Sequence, residues 1–227
     1  MALPSSQAHN HSAEHTNPPV HQIVYQKIRD MVLYGELAPG QPITIQGLVS
    51  MLETGITPVR EAIRRLTAEG ALTATDNRRI SVPELNLKLL EELSFARLSI
   101  EPHLAKLATK HVTPAQIDAL EQIDFQLDEA IETGNVQGYL HFNYSFHRTL
   151  YCYSETEILL TMADALWLRA GPSLRVVCGR YGTSNLPDMH EEAVAAMRKN
   201  DPEAVAKAIY KDIQQGHSQI ARALAEG

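Results

Sequence analysis

Cysteine is nearly absent: Cys152 and Cys178 are the two in 227 residues. A pair cannot make a disulfide framework, so a reduced, intracellular chain is the expectation. Long apolar runs are also missing. No stretch approaches the roughly 18–20 consecutive residues that cross a bilayer. The N-terminus has neither the basic start nor the apolar core of a secretory signal. These absences point to the cytoplasm and to no membrane partner. A HExxH signature is missing too, and no nucleophile sits beside a base, which weighs against an enzyme. Beyond the N-terminal tail there is no low-complexity segment and no internal repeat.

What is present is ordinary for a globular protein: 44% hydrophobic and 21% charged residues, with a net charge of −7. That charge is unevenly spread. Residues 21–83 hold seven Lys/Arg against six Asp/Glu, leaving 13 against 21 elsewhere. A near-neutral segment joined to an acidic one fits a nucleic-acid reader attached to a sensor, because only the surface facing phosphate must be positive. Arg60, Arg64, Arg65, Arg78 and Arg79 supply the cations, although solvated surface charge is the plainer reading of such a cluster.

Residues 1–19 are polar and aperiodic, which reads as a disordered tail; His9, His11 and His15 within it carry no evident role. From Val20 an apolar stripe (Ile23, Ile28, Met31, Val32, Leu33) predicts a helix ended by Gly35 and Pro39-Gly40. Thr44 is a candidate cap for a second short helix. Thr57 is a candidate cap for a third, with Pro58 at its first position and Val59, Ile63 and Leu66 inward. Ala71–Thr75 and Arg79–Val82 read as strands joined by a turn at Asp76-Asn77-Arg78. Three helices and a hairpin describe a winged helix-turn-helix over residues 20–83.

From Glu84 the chain reads as helix, with breaks near Thr113-Pro114, Gly134-Asn135, Ser154, Gly182–Pro187 and Asn200–Pro202. Thr113, Ser154 and Asn200 or Asp201 are candidate caps. About six helices result, an antiparallel bundle over residues 84–227, with Pro102 expected to kink the first. The fold class is therefore mostly α: a winged helix-turn-helix with a β-hairpin wing, then an all-α bundle.

Within the bundle, Asn143 and His147 are four apart and share a helix face, a reasonable half-site for a divalent metal. The turn at Asn200–Pro202 folds two helices into an antiparallel pair. Residues equidistant from it lie side by side, which sets His190 opposite Asp212; His217 falls one helical turn further along. A structural histidine is the alternative reading of each.

Leu37-Ala38-Pro39-Gly40, then Thr57-Pro58-Val59-Arg60-Glu61-Ala62-Ile63-Arg64-Arg65-Leu66, then Glu69-Gly70 resemble the GntR family, and more narrowly its FadR subfamily. The resemblance runs from about residue 20 to the end. It implies a homodimeric transcription regulator that binds double-stranded operator DNA through Gln46, Thr57, Arg60, Arg64, Arg65, Arg78 and Arg79. Three positions depart from the family pattern. Ile56 stands where an Arg usually precedes the Thr-Pro, Gln46 where the preceding helix usually has an Arg, and Arg79 where the wing usually has a Gly. An altered operator is the expectation.

The resemblance also implies a C-terminal FCD domain. Asn143 to His147 and His190 in Met189–Val194 are similar to its metal-binding motifs, and Asp201 to Val205 match a third only loosely. The final ligand, usually His, is Asp212 here. The set Asn143, His147, His190 and Asp212 suits Zn²⁺, Ni²⁺ or Mn²⁺. A small carboxylate effector is implied beside the metal, met by Arg97, Tyr144 and Arg148, with Arg169, Arg175 and Asn185 as further candidates. Arg97 reads equally well as an ion pair with Glu101 at i+4. Trp167 reads as core. A metal-dependent enzyme on the bundle and a regulator answering to metal alone remain the alternatives.

Overall fold

A computed structural model describes residues 18–74, 79–176 and 187–226. The first unit is α1 (Val20–Leu33), β1 (Pro42–Ile43), α2 (Ile45–Leu52), α3 (Ile56–Ala68), β2 (Thr73–Ala74) and β3 (Ile80–Ser81). The strands form one antiparallel sheet in the order β1-β3-β2, with Ile43 opposite Ile80 and Ala74 opposite Ile80 on its other side. The hairpin wing thus gains a third strand, a two-residue segment too short to register in the sequence pattern. The turn at 75–78, including Arg78, lies outside the described residues.

The second unit is α4 (Leu87–Ala108), α5 (Pro114–Glu132), α6 (Val136–Cys152), α7 (Ile158–Val176), α8 (Met189–Arg198) and α9 (Pro202–Glu226). Side-chain caps set most of the starts. Asn86, Thr113, Asn135 and Asp188 each accept a backbone N–H of the first turn, and Thr113 with Gln116 closes a capping box. Asp201 does the same for α9, accepting from Ala204 N at 3.0 Å after Asn200 turns the chain at φ 51°. Ser154 caps no helix: it bonds Thr156, four residues before α7 begins. Pro102 lies inside α4, which runs on through it. In the bundle α4 packs along α9, α5 along α6, and α8 along α9.

Two cores result. One lies inside the bundle, around Leu104, Leu120, Phe146, Leu150 and Ile209. The other crosses from the winged unit into the bundle: Ile28, Val32, Leu33, Val59 and Leu66 join Leu127, Leu140, Trp167 and Leu174. Each such side chain contributes roughly 1.5–3 kcal/mol when fully buried. The winged unit is therefore docked on the bundle through α1. Polar contacts pin the same junction: Arg29 donates to Tyr144 Oη at 2.8 Å, and Arg175 donates to Gly35 O at 2.8 Å. Gly35 has φ +70°, and a Cβ there would stand 3.0 Å from Leu140, so both backbone and packing demand glycine.

Candidate functional site

The surface expected to meet DNA is built on α2 and α3. Thr44 caps α2 by accepting from Gly47 N at 3.0 Å. Glu53, at φ 49°, ends it and starts the turn into α3. Helix α3 begins at Ile56 with Gly55 as its N-cap residue, two residues earlier than the Thr57 cap and Pro58 start expected from the sequence. Pro58 consequently sits third in the helix, where its missing N–H still breaks no intrahelical bond. Val59, Ala62, Ile63 and Leu66 are buried, while Thr57, Arg60 and Arg64 are exposed. Gln46 on α2 and Arg79 beside β3 are exposed as well. Arg60, Arg64 and Arg79 have no hydrogen-bond or ion-pair partner among the described residues.

Arg65 differs. Its Nε bonds Glu69 Oε1 at 2.9 Å, and its guanidinium lies 3.7 Å from the Tyr25 ring centroid. Tyr25 donates to the other Glu69 oxygen at 2.8 Å, and burial together with Glu69 pushes its hydroxyl up to about 12. Arg65, expected as a DNA contact, is engaged in fastening α3 onto α1 while 59% of its side chain stays exposed.

Inside the bundle, α6, α8 and α9 bring three donors together. His147 Nε2 lies 3.0 Å from Asp212 Oδ2 and 3.1 Å from His190 Nε2, and His190 Nε2 lies 3.7 Å from Asp212 Oδ1. His147 and His190 are buried; the Asp212 side chain is 24% exposed and opens onto a chamber of about 370 Å³.

The far side of each imidazole is also held. Glu101 is fully buried and accepts two bonds from Arg97, at 2.6 and 3.1 Å, and one from Trp167 Nε1 at 3.1 Å. The Tyr151 hydroxyl donates its only hydrogen to Glu101 at 2.7 Å. Tyr151 therefore faces His147 Nδ1, 2.9 Å away, with a lone pair, and His147 must be protonated on Nδ1. Asp124 accepts from His190 Nδ1 at 3.0 Å and fixes the same tautomer there. Both Nε2 lone pairs then point at each other and at a carboxylate. A proton on one Nε2 or a bound cation satisfies three acceptors this close, and the three ligand atoms lie within 4.8 Å of one another, as a metal site requires.

The three groups shift one another's charge. Burial and the His147 and His190 imidazoles act oppositely on Asp212; the imidazoles and Arg97 win and hold it down to about 2. Burial pushes His147 below its ordinary value despite Asp212. Burial also opposes protonation of His190, but its hydrogen bond to Asp124, with Asp212 and Asp188 nearby, leaves it above its ordinary value.

Asn143 lines the chamber one turn before His147, buried and without a hydrogen-bond partner among the described residues. Three expected effector contacts are placed differently. Arg97 lines the chamber, but its guanidinium is locked on Glu101 and stacked 4.4 Å over Trp167. Tyr144 and Arg148 occupy the neighbouring face of α6 and turn to α7. Arg148 Nε pairs with Asp164 at 2.6 Å, its Nη1 contacts Cys152 Sγ, and Tyr144 bonds Arg29 and Asp164. Neither lines the chamber. Arg169 lines a separate cavity beside Gly70 and Leu85, and Arg175 is spent on Gly35. Asn185 lies outside the described residues. His217 bonds Ser94 Oγ at 2.6 Å, apart from the cluster. The sequence reading missed Asp124 and Tyr151; Glu101 it named only as the i+4 ion-pair partner of Arg97, a pair that the structure contains.

A winged helix-turn-helix docked on a helical bundle with an internal polar chamber defines a one-component regulator, reader and sensor in one chain. Comparison with known families agrees. The FCD domain family matches residues 92–215, and the family described as bacterial regulatory proteins, gntR family, matches residues 21–82. The chain belongs to the GntR family and is a transcriptional regulator of its FadR-like subfamily, with an FCD ligand-binding domain. It is 28% identical over 195 residues to the HTH-type transcriptional regulator McbR of Escherichia coli K12, covering 85% of this chain and 88% of that protein. The HTH-type transcriptional repressor RspR of the same organism is 25% identical over 201 residues, 87% of each. The Nta operon transcriptional regulator of Aminobacter aminovorans is 29% identical over 184 residues, 80% of this chain and 85% of that one. The solved structure of E. coli McbR/YncC superposes with a TM-score of 0.83 at 26% identity, covering 90% of this chain and 98% of that one. Among the described residues no helix is long and apolar enough to cross a membrane.

Proposed function

We propose that operator affinity is set by a small-molecule effector bound in the chamber beside a divalent metal. His147, His190 and Asp212 hold the ion, and the Asn143 amide oxygen is the fourth donor. The observation that carries this is the tautomer pair fixed by Tyr151 and Asp124. Two donors about 2.0–2.2 Å from one ion stand roughly 3 Å apart, which is the spacing found here. A bound Zn²⁺, Ni²⁺ or Mn²⁺ supplies a Lewis-acidic anchor for an oxygen of the effector, such as a carboxylate. About 370 Å³ is far more than an ion occupies and lies in the small-molecule range, which favours an organic effector over metal alone.

Residues 20–83 act as reader, and residues 84–227 as sensor and dimerisation domain. Gln46, Thr57, Arg60, Arg64 and Arg79 face the DNA, and a homodimer of the chain binds a two-fold operator. Phe95 on α4 and Ile158 on α7, about three-quarters exposed on helices that pack together, suit a dimer contact. The link between sites is short. Asn143 and His147 share one face of α6, and Tyr144 beside them receives Arg29 from α1. A ligand that shifts α6 therefore repositions the winged unit, and linkage requires operator DNA to alter effector affinity by the same factor.

Mass spectrometry of tag-free protein tests the site: one metal per chain in wild type and none in His147→Ala. Metal-free wild type and an unchanged variant would remove it. In a gel shift at physiological salt, Arg60→Ala should weaken operator binding by about tenfold, a loss within the range for one base- or phosphate-reading Arg.

A further inference from the structure

The chamber's charge is lopsided. Among the described residues five carboxylates line it against one guanidinium, Arg97, and Arg97 is neutralised by Glu101. Asp212 and Asp124 are engaged by the histidines. Asp128, Glu132 and Asp188 remain, exposed around the opening and without a cationic partner among the described residues. Asp188 is fixed in place by capping α8, where it accepts from Glu191 N at 2.9 Å. Partial burial and the charges of Asp124 and Asp188 push the Asp128 carboxyl above its ordinary value, so these acids feel one another. Even two positive charges from a metal leave the lining negative. A second observation points to a ligand: the buried Asn143 side chain lines the chamber, and with its oxygen given to the metal its NH₂ group has no partner among the described residues, ready for the oxygen end of the ligand.

We infer that the effector carries a cationic nitrogen as well as its metal-facing oxygen, so the chamber takes an amino-acid-like zwitterion or an amine in preference to a dicarboxylate. An ammonium brings three donors to acceptor-only carboxylates, whereas a second anionic end would lie among like charges. The inference rests on the effector-site reading above and adds the charge class of the ligand.

Calorimetry on the full chain tests it, using three four-carbon probes (succinate, 4-aminobutyrate and 1,4-diaminobutane) on zinc-loaded and chelator-stripped protein. Bound zinc is measured separately by equilibrium dialysis. With zinc, 4-aminobutyrate should bind at least about tenfold more tightly than succinate, as expected when several weak charge contacts reverse sign. Stripping the metal should tighten 1,4-diaminobutane, because two positive charges leave the chamber. Asp128→Asn combined with Asp188→Asn, where Asn still caps α8, should weaken 4-aminobutyrate about tenfold, near threefold per carboxylate. The same variant should bind succinate more tightly. Opposite signs on two probes cannot come from misfolding, which weakens both. Succinate matching or beating 4-aminobutyrate in wild type, an unchanged affinity ratio of the two in the double variant, or no heat from any probe at millimolar concentration overturns the inference. Dialysis separates the failures: no bound zinc sinks the metal reading while the stripped protein still reports amine preference, and bound zinc with succinate preferred sinks the inference alone.

Discussion

The reading face of α3 and the chamber under α6 treat charge in opposite ways. On α3, Arg60 and Arg64 are exposed and have no partner among the described residues, available to whatever approaches. Beside the chamber Arg97, Glu101, Tyr151 and His147 form one hydrogen-bonded chain, His190 and Asp124 form another, and the two meet at the facing Nε2 atoms. An isolated exposed charge can be exchanged at little structural cost, because water replaces the partner. A buried chain cannot lose a member without stranding its neighbours. Specificity for DNA is thus free to diverge residue by residue, as Ile56 and Gln46 illustrate, while the sensor changes as a unit.

The largest test of that contrast is Glu101→Ala. It leaves the Arg97 guanidinium buried with no counter-charge and frees Tyr151 and Trp167 of their acceptor. Removing one partner of a buried pair costs about 3–5 kcal/mol, read as a lower urea midpoint. A cost below about 1 kcal/mol, the range of exposed pairs, would break the comparison.

Next comes Asp124→Asn, which keeps the shape but removes the charge that holds His190 in its tautomer. Such outer partners are worth about 10–100-fold in metal affinity, measurable by competition with a chromophoric chelator. Unchanged affinity would mean that Asp124 holds α5 to α8 and does nothing for the site.

These two residues also mark where sequence reasoning stopped. The α3 stripe, the caps at Thr44, Thr113 and Asp201, and the six bundle helices were legible because each depends on neighbours within four residues. Hairpin symmetry about Asn200 set His190 beside Asp212, since the register of an antiparallel pair follows from its turn. Asp124 lies 66 residues from His190, and Tyr151 lies 50 from Glu101, so no local pattern links either pair. Tyr144 and Arg148 failed for a simpler reason: one residue along a helix is a rotation of roughly 100°, which carried them off the chamber face and onto Asp164 of α7. Arg65 shows the same limit in the reader, where its partner Tyr25 comes from α1.

Acid titration probes the chamber more gently. Asp212 is held down to about 2 when folded, against about 3.9 in an unfolded chain. A lowered carboxylate stabilises the fold above its unfolded value, and that contribution is lost as pH falls from about 4 through about 2. The loss in metal-stripped protein is of order 2 kcal/mol. Other carboxylates titrate in the same window, so the measurement is the difference between wild type and Asp212→Asn in urea midpoint from pH 5 down to the acid limit. Wild type should fall more steeply. Parallel curves would show that Asp212 gains nothing from its two histidines.

The smallest effect lies within α3 itself, between adjacent arginines. Arg64 has no partner among the described residues, whereas Arg65 is bonded to Glu69 and stacked on Tyr25. If solvent-facing charge is what DNA uses, Arg64→Ala should lower the slope of log affinity against log salt by about one, as for one lost phosphate contact. Its effect on stability should stay within about 0.5 kcal/mol. Arg65→Ala should do the reverse, leaving the slope in place and costing about 0.5–1 kcal/mol, the range of a partly exposed ion pair with a cation–π contact. Because the two residues sit side by side on one helix, propensity and net charge change equally in both variants, and only the partner differs. If the Arg65 variant loses slope as well, an internal partner does not withdraw an arginine from DNA, and the division between free and committed charge fails at its most exposed point.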